Sequence, residues 1–203
     1  MGAGWYEEEY RAFGYDFPAA GERLKRLEEA LQIMTSMWTQ DLTSFEGTYF
    51  RASGVVNQPA GVQTPRLPVL VAGGGEKVTL RLVAEYADMC NVQEPPTEFA
   101  RKLDILAEHC AVVGRDYSTI TKTSTSYCII ADTDKQARAA VPPWAPMVFP
   151  GDLGWYGLVG TIATIHERLA AYEQVGVDEL ILGFQDALSA DTLRRFAEEF
   201  IQR

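Results

Sequence analysis

The chain has 203 residues, 47% of them hydrophobic, and a formal net charge of −10. That length suits one domain, 1–203, with a sizeable core, and the acidity argues against nucleic acid or an acidic membrane as partner, since both require a basic face. No apolar run approaches the roughly 18 residues of a bilayer span, and three cysteines without a CxxC pair or a leader segment point to a reduced, cytoplasmic setting.

Residues 1–18, MGAGWYEEEYRAFGYDFP, are rich in glycine and aromatics with no strand ahead of them. They read as a loop that lines a pocket or interface, or as an aromatic turn packed on the following helix. That helix is expected over 19–38, where Leu24, Leu27, Leu31, Met34 and Trp38 recur at three- and four-residue spacing; Trp38 is expected in the core. FEGTYF at 45–50 has the form of a short hairpin with its glycine near the turn. Asn57, Pro59, Gly61 and Pro65 then mark a loop.

Residues 67–72 read as a buried strand, the glycines at 73–75 as a turn, and the next stretch to about Tyr86 as a helix. A weak strand at 89–93 precedes a helix carrying Phe99, Leu103, Leu106, Cys110 and Val113, with Thr97 or its predecessor as cap and Gly114 at its end. The Thr-, Tyr- and Ile-rich run 120–131 is a strand, and Asp132 or Thr133 opens a short helix. Four prolines, three glycines and two tryptophans in 142–157 break any regular pattern, giving a lid-like or partner-binding loop, or an aromatic end to the core. Thr161 caps a helix that Gly176 stops, 180–184 is a strand, and Ser189 caps a last helix bearing Leu193, Phe196, Phe200 and Ile201. Four strands separated by helices are most simply parallel: half of a (β/α)₈ barrel, about four βα units with a hairpin insertion, or else a flat doubly wound sheet.

Gly73, Gly74 and Gly75 stand between a strand end and a helix start, where backbone N–H groups and the helix dipole favour a phosphate or carboxylate. The run is neither GxGxxG nor a Walker A loop, and it reads equally as a tight structural turn. Glu76 and Lys77 are expected in the first helical turn, with the Thr79 hydroxyl facing the same end. His109 and His166 lie within helices, away from strand ends, and read as packing residues. No HExxH, no GxSxG and no convincing pair among Asp88, Asp132 and Asp186 supplies acid–base or nucleophilic chemistry, and no metal set is evident. Such a chain suits an enzyme whose cofactor carries the reaction, or a fragment without its catalytic half.

Several stretches together, GAGWYEEEYRAFGYDFP, RLKRLEEALQIMTSMW, FEGTYF, PVLVAGGGEKVTLRLVAEYAD, GRDYSTI and GTIATIHERLAAYEQVGVDELILGF, resemble the C-terminal part of a luciferase-like monooxygenase of the branch that uses flavin or the deazaflavin F420. The resemblance implies a (β/α)₈ barrel lacking its first four βα units, with 67–72 as the fifth strand. It implies F420 or FMN as cofactor, hydride transfer or monooxygenation of a small organic substrate, and cofactor contacts at Gly73, Gly74, Gly75 and Glu76 and at Gly4 and Trp5, in the loop after the fourth strand. The branch leans to F420, although an acidic surface disfavours its strongly anionic tail. A half-barrel exposes sheet edges and part of its core, so a homodimer covering them is expected; the alternative is a non-catalytic remnant that binds an anion or a partner.

Overall fold

The computed structural model describes residues 1–185 and 190–201. Among these, five strands form one mostly parallel sheet in the hydrogen-bonded order β3-β4-β5-β6, with β7 on β5, and a separate two-stranded hairpin is made by β1 and β2. Helices flank the sheet, a partial TIM-barrel-like arrangement. The chain divides into two compact units, one of 1–90 with 108–120, the other of 91–107 with 121–203.

In the first unit, α1 (Glu7–Ala12) buries no residue, whereas α2 (Ala20–Thr39) buries Leu27 and Leu31. The hairpin β1 (Thr43–Glu46) and β2 (Arg51–Val55) pairs Phe45 with Ala52 and Glu46 with Arg51. Its tip is held by Glu29 of α2, whose carboxylate accepts the N–H groups of Thr48, Tyr49 and Phe50 at 2.7, 2.8 and 2.9 Å. β3 (Leu70–Ala72) follows, then α3 (Thr79–Tyr86), whose Leu80, Leu82 and Val83 are wholly buried, then β4 (Met89–Asn91) and the end of α4 (Pro96–Val113). Arg66 reaches Asp88 through both terminal guanidinium nitrogens at 2.5 and 3.1 Å, and Asp88 accepts the Val69 N–H at 2.7 Å, fixing the entry to β3. Arg81 ties α3 to α2 through Glu28 at 3.0 Å.

The second unit is built on β5 (Thr121–Ile130), which runs parallel to β6 (Leu158–Gly160) from Cys128↔Leu158 to Ile130↔Gly160 and to β7 (Glu179–Phe184) from Thr123↔Glu179 to Cys128↔Phe184. Between β5 and β6 lie α5 (Asp134–Ala139), α6 (Ala145–Val148) and α7 (Leu153–Tyr156); α8 (Ile162–Gln174) and α9 (Ala190–Phe200) complete it. Thr161 caps α8 as the sequence suggests, and of Asp132 and Thr133 it is Thr133 that caps α5; they accept from the Thr164 and Gln136 N–H groups. Gly176 follows α8 at φ +89°. Arg168 gathers the carbonyls of Gly154, Gly157 and Val159, holding α7 and β6 on α8.

The structure differs from the sequence reading in several elements. Segment 142–157 is not irregular: it holds α6 and α7 and leads into β6, a strand beyond the four expected. Residues 7–12 are helical instead of loop. Pro96 opens α4, so Thr97 lies inside its first turn. The expected Ser189 cap and Asp186 lie outside the described residues.

Candidate functional site

β3 ends at Ala72 and the chain turns on three glycines. Gly73 sits at φ +125°, a conformation L side chains rarely adopt. Gly75 is glycine for another reason: a Cβ there would stand 2.7 Å from Thr79 Oγ1. Thr79 is buried at the start of α3 and lies over the turn, its γ-methyl 3.4 Å from a Cβ built on Gly73. The Thr79 hydroxyl therefore faces the glycines, as the sequence suggests.

Glu76 and Lys77 are not in the first helical turn. Leu80 donates to Gly75 O at 3.0 Å, five residues back, and Leu82 to Val78 O at 2.9 Å. A wider turn therefore separates the glycines from α3, which begins at Thr79. His109 of α4 hydrogen-bonds the Glu76 carbonyl through Nε2 at 2.7 Å. A carbonyl only accepts, so this nitrogen carries the proton. The histidine is a packing residue, and its partner is the candidate loop itself. His166 packs its ring on Phe200 with centroids 4.8 Å apart.

The amino-terminal residue joins the same strand. Met1 donates to Leu70 O, and its carbonyl accepts the Ala72 N–H at 2.7 Å. This is the pattern of a parallel bridge opposite Val71. A Cβ on Gly2 would lie 3.5 Å from Ala72 O, so the segment leading to Gly4 and Trp5 leaves β3 beside the glycine turn. Gly4 and Trp5 make their own contacts elsewhere. Gly4, at φ +80°, packs on the Tyr10 ring and accepts from Arg23 Nε at 3.3 Å, and Arg23 stacks over Phe17 at 3.9 Å. Trp5 rests on Tyr6 with centroids 5.3 Å apart and stays 60% exposed. The structure thus joins Gly73, Gly74, Gly75 and Glu76 in one solvent-facing loop, with Thr79, His109 and Met1 as neighbours the sequence did not reveal as a group.

Other sequence candidates take structural places. Asp88 is committed to Arg66; burial raises its pKa, but the Arg66 bond and the Val69 N–H bring it below the usual carboxylate value. Cys90, Cys110 and Cys128 are buried. Trp38, expected in the core, is half-buried and lines a cavity of about 400 Å³ with Asn57, Gln58, Thr64 and Arg66. Among the described residues no group of three or more His, Cys, Asp or Glu side chains is placed to hold a metal, and no helix is long and apolar enough to cross a membrane.

The family model for luciferase-like monooxygenases matches residues 1–152. The chain belongs to the luciferase-like monooxygenase family. This luciferase-like chain is 28% identical to an FMNH(2)-dependent dimethylsulfone monooxygenase of Pseudomonas putida, over 90% of the chain and 59% of that protein. It is 32% identical to an F420-dependent glucose-6-phosphate dehydrogenase of Nocardia farcinica, over 67% of the chain and 41% of that protein. It therefore spans about three-fifths or less of these curated relatives. Among solved structures, an F420-dependent secondary alcohol dehydrogenase superposes with TM-score 0.80 at 18% identity, over 98% of this chain and 67% of that one. The monooxygenase RslO1 of Streptomyces bottropensis superposes at 0.75 and 18%, over 98% and 66%. At such identities these two likenesses speak for the fold.

Proposed function

We propose that this chain is the C-terminal part of a luciferase-like oxidoreductase. In this reading β3 is the fifth barrel strand, β4, β5 and β7 are the sixth to eighth, and four βα units would precede Met1. The chain works with F420 or reduced FMN on a small organic substrate. The cofactor, when bound, supplies hydride or activates oxygen; the chain's own residues bind and orient it. Gly73, Gly74, Gly75 and Glu76 would lie against its phosphate, with Gly4 and Trp5 on the neighbouring segment. The observation that carries this reading is the solvent-facing glycine turn at the end of β3, where Gly73 at φ +125° leaves backbone open to close approach. The family supports both cofactors, since one relative is named for FMNH(2) and another for F420.

Titration with F420 and with FMN, followed by absorbance and fluorescence, tests it. Binding of one of them in the micromolar range is expected, with Gly75→Ala weakening it roughly tenfold, about 1.4 kcal/mol. Absence of binding by either would favour a non-catalytic half-barrel.

The exposed apolar surface favours a homodimer in either case. Ile181 on β7 is 47% exposed, and Leu67, ahead of β3, is 45% exposed. A second copy covering such surface is the expected remedy. Analytical ultracentrifugation should show a dimer, and a stable, non-aggregating monomer would overturn that part of the reading.

A further inference from the structure

The Glu76 carbonyl accepts the His109 Nε2–H at 2.7 Å, and that bond sets the direction of a whole peptide plane. The Glu76–Lys77 bond is trans, since the cis bonds among the described residues are Gln58–Pro59 and Thr64–Pro65. In a trans peptide the C=O and the following N–H point to opposite sides. With its carbonyl turned to His109 on α4, this plane aims the Lys77 N–H away from that helix. Among the described residues that N–H finds no acceptor, and the Lys77 ammonium enters no ion pair. Lys77 is exposed and stands two residues after Gly75.

The guanidinium groups around β3 and α3 are committed: Arg66 to Asp88, Arg81 to Glu28 and Glu85, and Arg115 to Thr119 and the Ala84 carbonyl. Lys77 is the cation carried by the loop itself. A phosphate at the glycine turn would meet the opposing Glu76 carboxylate, in a chain of net charge −10, and the glycines offer backbone but no charge. A backbone N–H and an ammonium on one residue supply both the donor and the charge that phosphate recognition uses. Three glycines also leave the loop conformationally free, so an anchor outside it is needed to hold that N–H in place before a ligand arrives. His109 supplies one from α4, where the adjacent Cys110 is buried.

We propose that Lys77 binds the cofactor phosphate through its backbone N–H and its ammonium, with His109 as the positioning residue that fixes the Glu76–Lys77 peptide. The identity of the ligand rests on the cofactor reading; the anion chemistry rests on the loop.

The test uses the full chain and the variants Lys77→Gln, His109→Ala and His109→Gln, titrated with FMN and with F420 at low and high salt. Lys77→Gln should weaken binding roughly tenfold and flatten its salt dependence, with Tm nearly unchanged, as for an exposed side chain. His109→Ala should weaken binding roughly threefold. His109→Gln, whose amide can donate to the same carbonyl, should restore it. Unchanged affinity and salt dependence in Lys77→Gln would overturn the binding role. His109→Ala with full affinity, or His109→Gln as weak as His109→Ala, would overturn the positioning role. Inorganic phosphate, titrated against the isotope-labelled chain by NMR, probes the loop without cofactor. The Lys77 amide resonance should move with phosphate, and move less in His109→Ala. If neither cofactor binds but this amide responds, the cofactor reading falls and the anion site stands. If the amide is silent to phosphate, the assignment of Lys77 falls whatever the cofactors do.

Discussion

The Glu29 carboxylate receives three consecutive backbone N–H groups from the hairpin tip, and Arg26 lies over the neighbouring Tyr49 ring at 5.1 Å. Burial raises the Glu29 pKa, but the three N–H donors outweigh it and the net shift is downward. A depressed folded-state pKa contributes stability above the ordinary carboxylate range, lost as pH falls through the folded value. Amides of Thr48, Tyr49 and Phe50 should thus lose exchange protection in acid, below about pH 4, and Glu29→Gln should show weaker protection at neutral pH with little further acid dependence. Hydrogen exchange against pH checks both. A second residue-scale prediction concerns Gly75 and Thr79. Gly75→Ala should destabilise by about 1–3 kcal/mol through overpacking against Thr79 Oγ1, and Thr79→Ala in the same chain should recover part of that loss. Denaturant melts of the two single variants and the pair measure the coupling. The sequence shows the glycines and places the Thr79 hydroxyl at the same end, but not the close approach that leaves Gly75 no room for a Cβ. Nor does it show His109 on Glu76, a contact 33 residues apart with no local pattern.

At the scale of elements, legibility followed buried periodicity. α2, α3, α4 and α8 each bury a face and were readable, as were the Thr133 and Thr161 caps. α1 buries nothing, so EEEYRA carries no amphipathic signal and its aromatic flanks read as loop. β6 is three residues long, too short for a period-two pattern, and its place is set by pairing with Cys128, Ile129 and Ile130. α8 carries a further prediction. Thr161→Ala removes the acceptor for the Thr164 N–H and should cost about 1 kcal/mol, seen as a Tm lower by roughly 2–4 °C. Thr161→Ser should restore it. Asp134 supports the same junction from α5, accepting the Thr161 N–H and the Thr164 hydroxyl at 3.0 and 2.8 Å. Those two bonds, the Thr161 N–H first, lower its pKa in spite of burial. Its contribution therefore also fades as pH falls into the carboxylate range.

For the molecule as a whole, alternation of strand and helix already pointed to a partial barrel, and the parallel pairing of β5 with β6 and β7 accords with it. The candidate site was legible as one loop, because three successive glycines need no tertiary information to stand out. The edge of β3 was not legible, since a single residue at position 1 carries no strand pattern. The Met1 bridge has a practical corollary. Its ammonium donates to Leu70 O, and burial lowers its pKa. Any peptide joined ahead of Met1, an affinity tag included, would be aimed along β3 in extended form and would convert that donor into an ordinary amide. An amino-terminal tag should therefore change the melting temperature and self-association of this protein relative to the untagged chain. Matched tagged preparations, compared by calorimetry and sedimentation, would show whether the choice of purification handle alters the assembly under study.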